Sequence, residues 1–325
     1  MKLRTLGDSG LRVPPLCFGC NVFGWTVDEP TAFALLDACM DAGVNFLDTA
    51  DVYSAWAPGN SGGESESVIG NWMKKRGNRA KVIVATKVGM KMAPDRRGLS
   101  KKYILSAVED SLRRLQTDYI DLYQSHEDDP ETPPEETLGA FDELVRTGKV
   151  RLIGASNFSA ERLAVAIGIS REHGFPVYRS LQPRYNLYHR DEFEAELEAL
   201  CLKEKIGVIT YSSLASGFLT GKYRSKADLG KSPRGARAEE KFNERGYRIL
   251  EALDRIASEY DSTPTTVALA WLMARPSVTA PIVSATSLVQ LTALIESMKL
   301  DLNSDNVRSL DLASEWKQSR PLLEG

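Results

Sequence analysis

The sequence predicts a (β/α)8 TIM barrel with an N-terminal β-hairpin and an extra C-terminal helix. Eight short apolar runs rich in β-formers recur along the chain, separated by segments of helical period and by mostly short connections. Such alternation means parallel strands joined by right-handed crossovers. Several of the runs are apolar at consecutive positions, as strands buried on both faces are. No G-x-G-x-x-G turn follows an early strand, where an open doubly wound sheet would more often carry one.

The elements follow in order. Residues 2–15, with Asp8-Ser9-Gly10 as turn chemistry, read as a hairpin preceding the barrel. The eight runs fall at 16–20, 44–47, 82–86, 119–123, 152–156, 180–182, 207–211 and 281–285. After Ser100, a helix N-cap, Ile104, Ala107, Val108, Leu112 and Leu115 share one helical face. Leu138, Phe141, Leu144 and Val145 repeat the pattern and end at Gly148, where a C-terminal cap belongs. Leu288, Leu291, Leu294, Ile295 and Met298 do so again, and a last helix is expected over 304–318. One stretch, 212–245, does not fit the repeat. It is long, rich in glycine, and carries Lys222, Arg224, Lys226, Lys231, Arg234 and Arg237, so it reads as a functional loop.

Composition narrows the function. The 325 residues are 42% hydrophobic and 26% charged, ordinary globular values. Length alone allows two domains, but α/β barrels of about 250 residues or more form one, so 1–325 is taken as a single barrel domain. The net charge of −3 offers no electrostatic case for nucleic acid or an acidic membrane. No apolar run is long enough to span a bilayer and the first residues lack a signal-peptide core, so a cytoplasmic location is expected. Cys17, Cys20, Cys39 and Cys201 are too few and scattered for a disulfide framework. Cys17-Phe18-Gly19-Cys20 is formally CxxC, but residues three apart on a strand face opposite ways. His126, His173 and His189 lack ligand-like spacing, so no metal site is expected.

The polar residues that interrupt the apolar runs fall at one end. Asp48, Lys87, His126, Ser156-Asn157, Gln182 and Tyr211 each stand at or just past the last apolar residue of a strand. That end is the rim where barrel enzymes place their chemistry. Taken singly, Asp48 also reads as a strand-end cap, Lys87 as a snorkelling lysine and His126 as a core histidine. With Tyr53, five residues beyond Asp48, they make an acid, a base, a phenol and an imidazole at one mouth, a set suited to proton transfer.

Asp48-x4-Tyr53, Ala85-Thr86-Lys87 and Gln124-Ser125-His126 resemble the catalytic tetrad of the aldo-keto reductase superfamily. Gly154-x-Ser156-Asn157, Gln182-x-x-Tyr185-Asn186 and Tyr211-Ser212 continue the resemblance in order, over nearly the whole chain. Glu64-Ser65-Glu66 and Leu219-Thr220-Gly221-Lys222 resemble its bacterial and potassium-channel-β-subunit branch. The resemblance implies hydride transfer from a reduced nicotinamide to an aldehyde or ketone. Tyr53 would be the general acid, Lys87 and Asp48 would tune it, and His126 would hold the carbonyl oxygen. It also implies that Ser156, Asn157 and Gln182 hold the carboxamide and that Tyr211 stacks on the ring. Gly19, Cys20, Asn21, Ser212, Leu214, Gly217 and Lys222 match family positions further along the cofactor. Ser284, Thr286 and Gln290 lie at its adenosine end, beside a helix N-terminus near Ser287 that favours phosphate.

Departures concentrate at that end. Many relatives have glycine at Ser284 and a cation near Thr286, and their Glu-Asn pair is Ala293-Leu294 here. Arg234 or Arg237 from the basic loop is the candidate replacement, and NADPH is expected, with NADH as the alternative. The partner is a small-molecule carbonyl compound, with Trp25 and Trp56, along with Tyr53 and His126, as pocket walls. Asp51, Arg96, Arg184 and His189 are further polar candidates, compatible with a sugar or other polar carbonyl. Two rival functions are a Schiff-base aldolase using Lys87 and a cofactor-binding regulatory module with weak turnover. Oligomeric state is left open.

Overall fold

A small antiparallel hairpin, β1 (Arg4–Thr5) with β2 (Arg12–Val13), precedes a closed parallel barrel in the computed structural model, which describes residues 2–233 and 235–316. The barrel strands are β3 (Cys17–Gly19), β4 (Phe46–Asp48), β5 (Ile83–Val88), β6 (Ile120–Ser125), β7 (Val150–Ser156), β8 (Ser180–Gln182), β9 (Gly207–Thr210) and β10 (Val278–Val283). They pair in sequence order, and β10 returns to β3. The crossover helices include α1 (Glu29–Asp41), α2 (Glu64–Arg76), α3 (Lys101–Leu115), α4 (Pro134–Arg146) and α5 (Ala160–His173). Further along come α6 (Asp191–Glu194), α7 (Leu197–Glu204), α8 (Glu244–Glu259), α9 (Pro264–Ala274), α10 (Leu288–Glu296) and α11 (Ser304–Ala313). Ser100 caps α3 by accepting from the Tyr103 N–H, and Gly148 takes the left-handed φ of +76° just past α4. Among the described residues no helix is long and apolar enough to cross a membrane.

Strand alternation divides the core in two. Leu47, Val84, Tyr123, Ile153 and Leu181 face the helices in the larger apolar cluster. Cys17, Phe46, Ala85, Leu122, Ile209 and Ala280 fill the barrel interior and meet Leu6 and Val13 of the hairpin, which therefore plugs the lower end. Cys17 and Cys20 fall in different clusters, as their spacing predicts, and all four cysteines are buried and free.

Three readings differ from expectation. The helix expected over 304–318 ends at Ala313, and 317–318 lie outside the described residues. The eighth strand begins at Val278, not Pro281, with a bulge between Val278 and Ala280, because Thr279 and Pro281 mask an apolar run. The 212–245 stretch is not one loop. It holds three 3-10 segments, Ala215–Thr220, Lys226–Lys231 and Gly235–Lys241, whose tight turns carry no 3.6-residue period to detect.

The plug depends on Gly7. Its φ is +53°, and a Cβ there would lie 2.6 Å from both the Gly207 N and the Lys205 O. Gly7→Ala is expected to destabilise the fold by about 1–3 kcal/mol through strain and overpacking. A urea midpoint unchanged from wild type would show that the hairpin does not hold the barrel floor.

Candidate active site

The same alternation that buries Phe46, Ala85 and Leu122 inside the barrel turns Asp48, Lys87 and Gln124, two residues on, into its upper layer. Lys87 is 0% exposed and Asp48 2%. The Lys87 ammonium donates to Asp48 Oδ2 at 2.7 Å, to the Thr49 carbonyl at 2.8 Å and to Tyr53 Oη at 2.8 Å. Three protons thus meet three acceptors. Burial alone would lower the Lys87 pKa, but Asp48 and Tyr53 outweigh it and hold the ammonium charged well above the usual lysine range.

Tyr53 sits at the top of this chain. The contact from its hydroxyl to Asp48 Oδ2 is long, 3.5 Å, so the phenol takes a strong hydrogen bond from Lys87 while donating only a weak one itself. Burial raises the Tyr53 pKa to about 12 against the pull of Lys87. His126, just past β6, is 7% exposed and packs edge-on to Tyr53 with ring centroids 5.8 Å apart. Burial, then the Lys87 charge, lowers its pKa well below the usual histidine value, so the imidazole is neutral at pH 7. Its Nδ1 is buried without a hydrogen-bond partner. Trp56 lies edge-on to Tyr53 at 5.9 Å and to Trp25 at 5.8 Å, making one aromatic wall of the mouth.

The next side of the rim is amide-rich. Gln182 Nε2 donates to Asp48 Oδ1 at 2.8 Å and to Gln124 Oε1 at 3.3 Å. Ser156 Oγ donates to the Gln182 carbonyl at 2.9 Å, and Asn157 Nδ2 to the His126 carbonyl at 2.9 Å. Tyr211 Oη donates to Asn157 Oδ1 at 2.9 Å, which fixes the tyrosine ring beside that amide. Gln124 entered the sequence reading only within Gln124-Ser125-His126 and was given no role, although its inward parity two residues before His126 was the signal for one.

Beyond Tyr211 the backbone turns repeatedly into the left-handed region, at Ser212 (φ 57°), Ala215 (49°), Ser216 (58°) and Gly217 (91°). Leu214 opens the 3-10 segment here, and a Cβ at Gly217 would meet Lys222 Nζ at 3.0 Å, so the lysine lies against this turn. Between β10 and β3, Ser284 Oγ donates to Asn21 Oδ1 at 2.7 Å, and a Cβ at Gly19 would come within 2.9 Å of that hydroxyl. Cys20 is fully buried with its side chain among the outer core residues, and its N–H donates to the Asp48 carbonyl at 2.8 Å. Gln290 Oε1 accepts from the Thr286 N–H at 2.9 Å, and Ser287 caps α10. Arg237 is exposed, and Arg234 lies outside the described residues.

The remaining polar candidates are engaged elsewhere or buried. Arg184 pairs with Glu192, His189 turns to Asn186, Arg96 lies 4.0 Å from Asp110, and Asp51 is 1% exposed beneath the rim. Behind Lys87, Glu66 accepts from Thr86 Oγ1 at 2.5 Å and from Arg114 Nε at 2.7 Å, bracing β5 against α2 and α3. Among the described residues no cluster of three or more histidine, cysteine or carboxylate side chains is arranged to hold a metal.

Comparison with known proteins gives one consistent answer. Residues 15–315 match the model of the aldo/keto reductase family. The chain is 38% identical to the uncharacterized oxidoreductase YrpG of Bacillus subtilis over 96% of its own length and 95% of that protein. It is 36% identical to a probable voltage-gated potassium channel subunit beta of Oryza sativa, covering 92% and 90% of the two chains. To the aldo-keto reductase YhdN of Bacillus subtilis it is 32% identical, over 99% and 96%. With an eight-stranded parallel barrel and a family match spanning nearly all of it, the chain is an oxidoreductase-type barrel that belongs to the aldo/keto reductase family.

Proposed function

We propose that the protein reduces an aldehyde or ketone with a nicotinamide cofactor, NADPH in preference to NADH, and that Tyr53 is the proton donor. The observation that carries this reading is the chain Asp48–Lys87–Tyr53, at 2.7 and 2.8 Å, opening on an aromatic mouth. A bound reduced nicotinamide would supply a hydride to the carbonyl carbon. Tyr53 gives its proton to the carbonyl oxygen as negative charge develops there, and Lys87 stabilises the phenolate left behind. His126, neutral, offers a hydrogen bond to the same oxygen. Asp48 keeps Lys87 charged and aimed.

The residues around the mouth fit the cofactor by their chemistry. Ser156, Asn157 and Gln182 combine the donors and acceptors an amide needs, and Tyr211, tethered to Asn157, presents a ring. The left-handed turns from Ser212 to Gly217, with Lys222 against them, suit a pyrophosphate. Gly19, Cys20, Asn21 and Ser284 line the approach to the adenosine end, and Thr286 and Gln290 sit at the N-terminus of α10. A 2′-phosphate would find its cation on the basic 222–241 stretch, where Arg237 is exposed. The substrate is a small carbonyl compound with a flat or apolar face to lie on Trp25 and Trp56, a description that covers aromatic aldehydes and sugar rings alike.

Two rivals fit less well. An aldolase lysine must shed its proton to attack a carbonyl, whereas Lys87 is held charged by Asp48 and Tyr53. A purely regulatory role draws on the likeness to channel subunits, and the Asp48–Lys87–Tyr53 geometry favours turnover.

Because Trp25 and Trp56 stand at the mouth, tryptophan fluorescence should report cofactor binding. Titration with NADPH is expected to quench it at lower concentration than NADH. Tighter binding of NADH would assign the altered adenosine end to the dinucleotide without a 2′-phosphate. Binding of neither by folded protein would overturn the cofactor reading.

A further inference from the structure

Asp51 is the least satisfied polar side chain near the site. It is 1% exposed, and neither carboxyl oxygen makes a well-formed hydrogen bond, the adjacent Val52 N–H lending only a weak contact. An ionised carboxylate is not kept in such a place unless a cation or donors compensate it. The charged and titratable groups around it come from every neighbouring element: Glu66 of α2, Arg114 and Tyr103 of α3, Tyr123 of β6, and Arg96 of the segment between β5 and α3. Of the two cations, Arg114 is committed to Glu66 at 2.7 Å, and Arg96 is half-exposed and 4.0 Å from Asp110. Glu66 already places one carboxylate, itself fully buried, in this layer. A second negative charge there is unfavourable, so Asp51 is a neutral acid.

Its backbone is part of the proton-donor support. The Asp51 N–H donates to the Lys87 carbonyl at 3.2 Å, and the Tyr53 N–H to the Ala50 carbonyl at 3.2 Å. The 50–53 turn therefore links the backbone of Lys87 to that of Tyr53, and the buried carboxyl belongs to a residue within that turn. We propose that Asp51 is a positioning residue, kept neutral, whose ionisation shifts this turn, draws Tyr53 away from Lys87 and ends reduction at alkaline pH. The role rests on the reading of Tyr53 as proton donor.

The other groups of the mouth do not titrate in the same range. Burial, then Glu66, lifts Asp51 to about 8. Tyr53 is raised to about 12, Lys87 is raised beyond its usual range, and His126 is lowered. An alkaline limb beginning near 8 thus belongs to Asp51. The same proton enters the stability. The folded pKa lies above that of an unfolded aspartate, about 4. Between the two values the native chain holds a proton that the unfolded chain releases, so stability falls as pH rises through that window and levels off above it.

Three measurements on wild type and Asp51→Asn test this. A carbonyl stretch of a protonated carboxyl is expected in the infrared spectrum of wild type at about pH 6, titrating away on the alkaline side and missing from the variant. The Tm of Asp51→Asn relative to wild type is expected to rise from about pH 5 to about pH 8. Wild-type kcat/KM is expected to fall about tenfold per pH unit above the transition, while the variant stays flat there. The same alkaline limb in the variant overturns the positioning role. A wild-type spectrum without the titrating band, or a Tm difference independent of pH, overturns the neutral acid whatever the activity. If wild type reduces no carbonyl at all, the positioning role falls with the reductase reading, and the infrared and Tm results tell the two failures apart.

Discussion

Tyr53→Phe is expected to lower kcat/KM for carbonyl reduction by about two to four orders of magnitude, the range that a positioned general acid contributes. The substitution removes one oxygen and leaves the ring that packs on His126 and Trp56, so the mouth keeps its shape. What disappears is the single hydroxyl that takes a 2.8 Å hydrogen bond from Lys87 and itself donates only across a long 3.5 Å contact to Asp48. Binding and chemistry should therefore separate. Fluorescence titration should give a cofactor Kd within about threefold of wild type, a change worth less than about 1 kcal/mol, while steady-state turnover collapses. A variant that turns over within tenfold of wild type would sink the assignment of Tyr53, and His126 would then be the next donor to test.

The second large effect concerns stability. Asp48→Ala should cost about 3–5 kcal/mol, because removing one partner of a buried ion pair leaves the other charge uncompensated. Lys87 has 0% exposure and would keep only the Thr49 carbonyl and the Tyr53 hydroxyl as acceptors. Gln182 would lose the acceptor of its 2.8 Å bond as well. The double variant Asp48→Ala/Lys87→Met removes both charges at once. It should be more stable than the sum of the single losses predicts, by about 1–3 kcal/mol in a double-mutant cycle. Urea midpoints of the four proteins measure this directly. Additive losses would mean that the pair is not coupled in the folded state, and the account of how Lys87 is held charged would fail.

The parts of the site that were legible lie on regular strands. Asp48, Lys87 and Gln182 stand out as polar residues ending apolar runs, and strand parity places all three side chains in one layer of the barrel. The rim position of Tyr211 and Asn157 followed from the same logic, although their mutual 2.9 Å hydrogen bond did not. Legibility fades once the backbone leaves the strands. Asp51, three residues past Asp48, has the look of an exposed rim carboxylate in the sequence but is buried between strand and helices, because parity no longer holds in the 50–53 turn. The 212–245 stretch was read as a long basic loop, but its tight turns were not legible, since successive left-handed residues such as Ala215 and Ser216 are set by local backbone packing and not by side-chain type. Gln124 was quoted only as part of a motif. A glutamine in a strand that also carries Asp121 and Ser125 announces no role of its own until its neighbours across the barrel are known.

The four buried cysteines bear on how such a protein survives its own chemistry. Aldehydes and unsaturated ketones are electrophiles, and the protein species they alkylate most readily is an accessible thiolate. Cys17 and Cys20 are fully buried with their thiols raised well above the ordinary range, and burial lifts Cys39 and Cys201 to about 12. The pair nearest the mouth is thus sealed on two sides of a strand, one thiol under the barrel layer and the other behind it. On the proposed reading, a catalyst built around Tyr53, Lys87 and His126 with every thiol buried offers reactive carbonyls no accessible thiolate to alkylate.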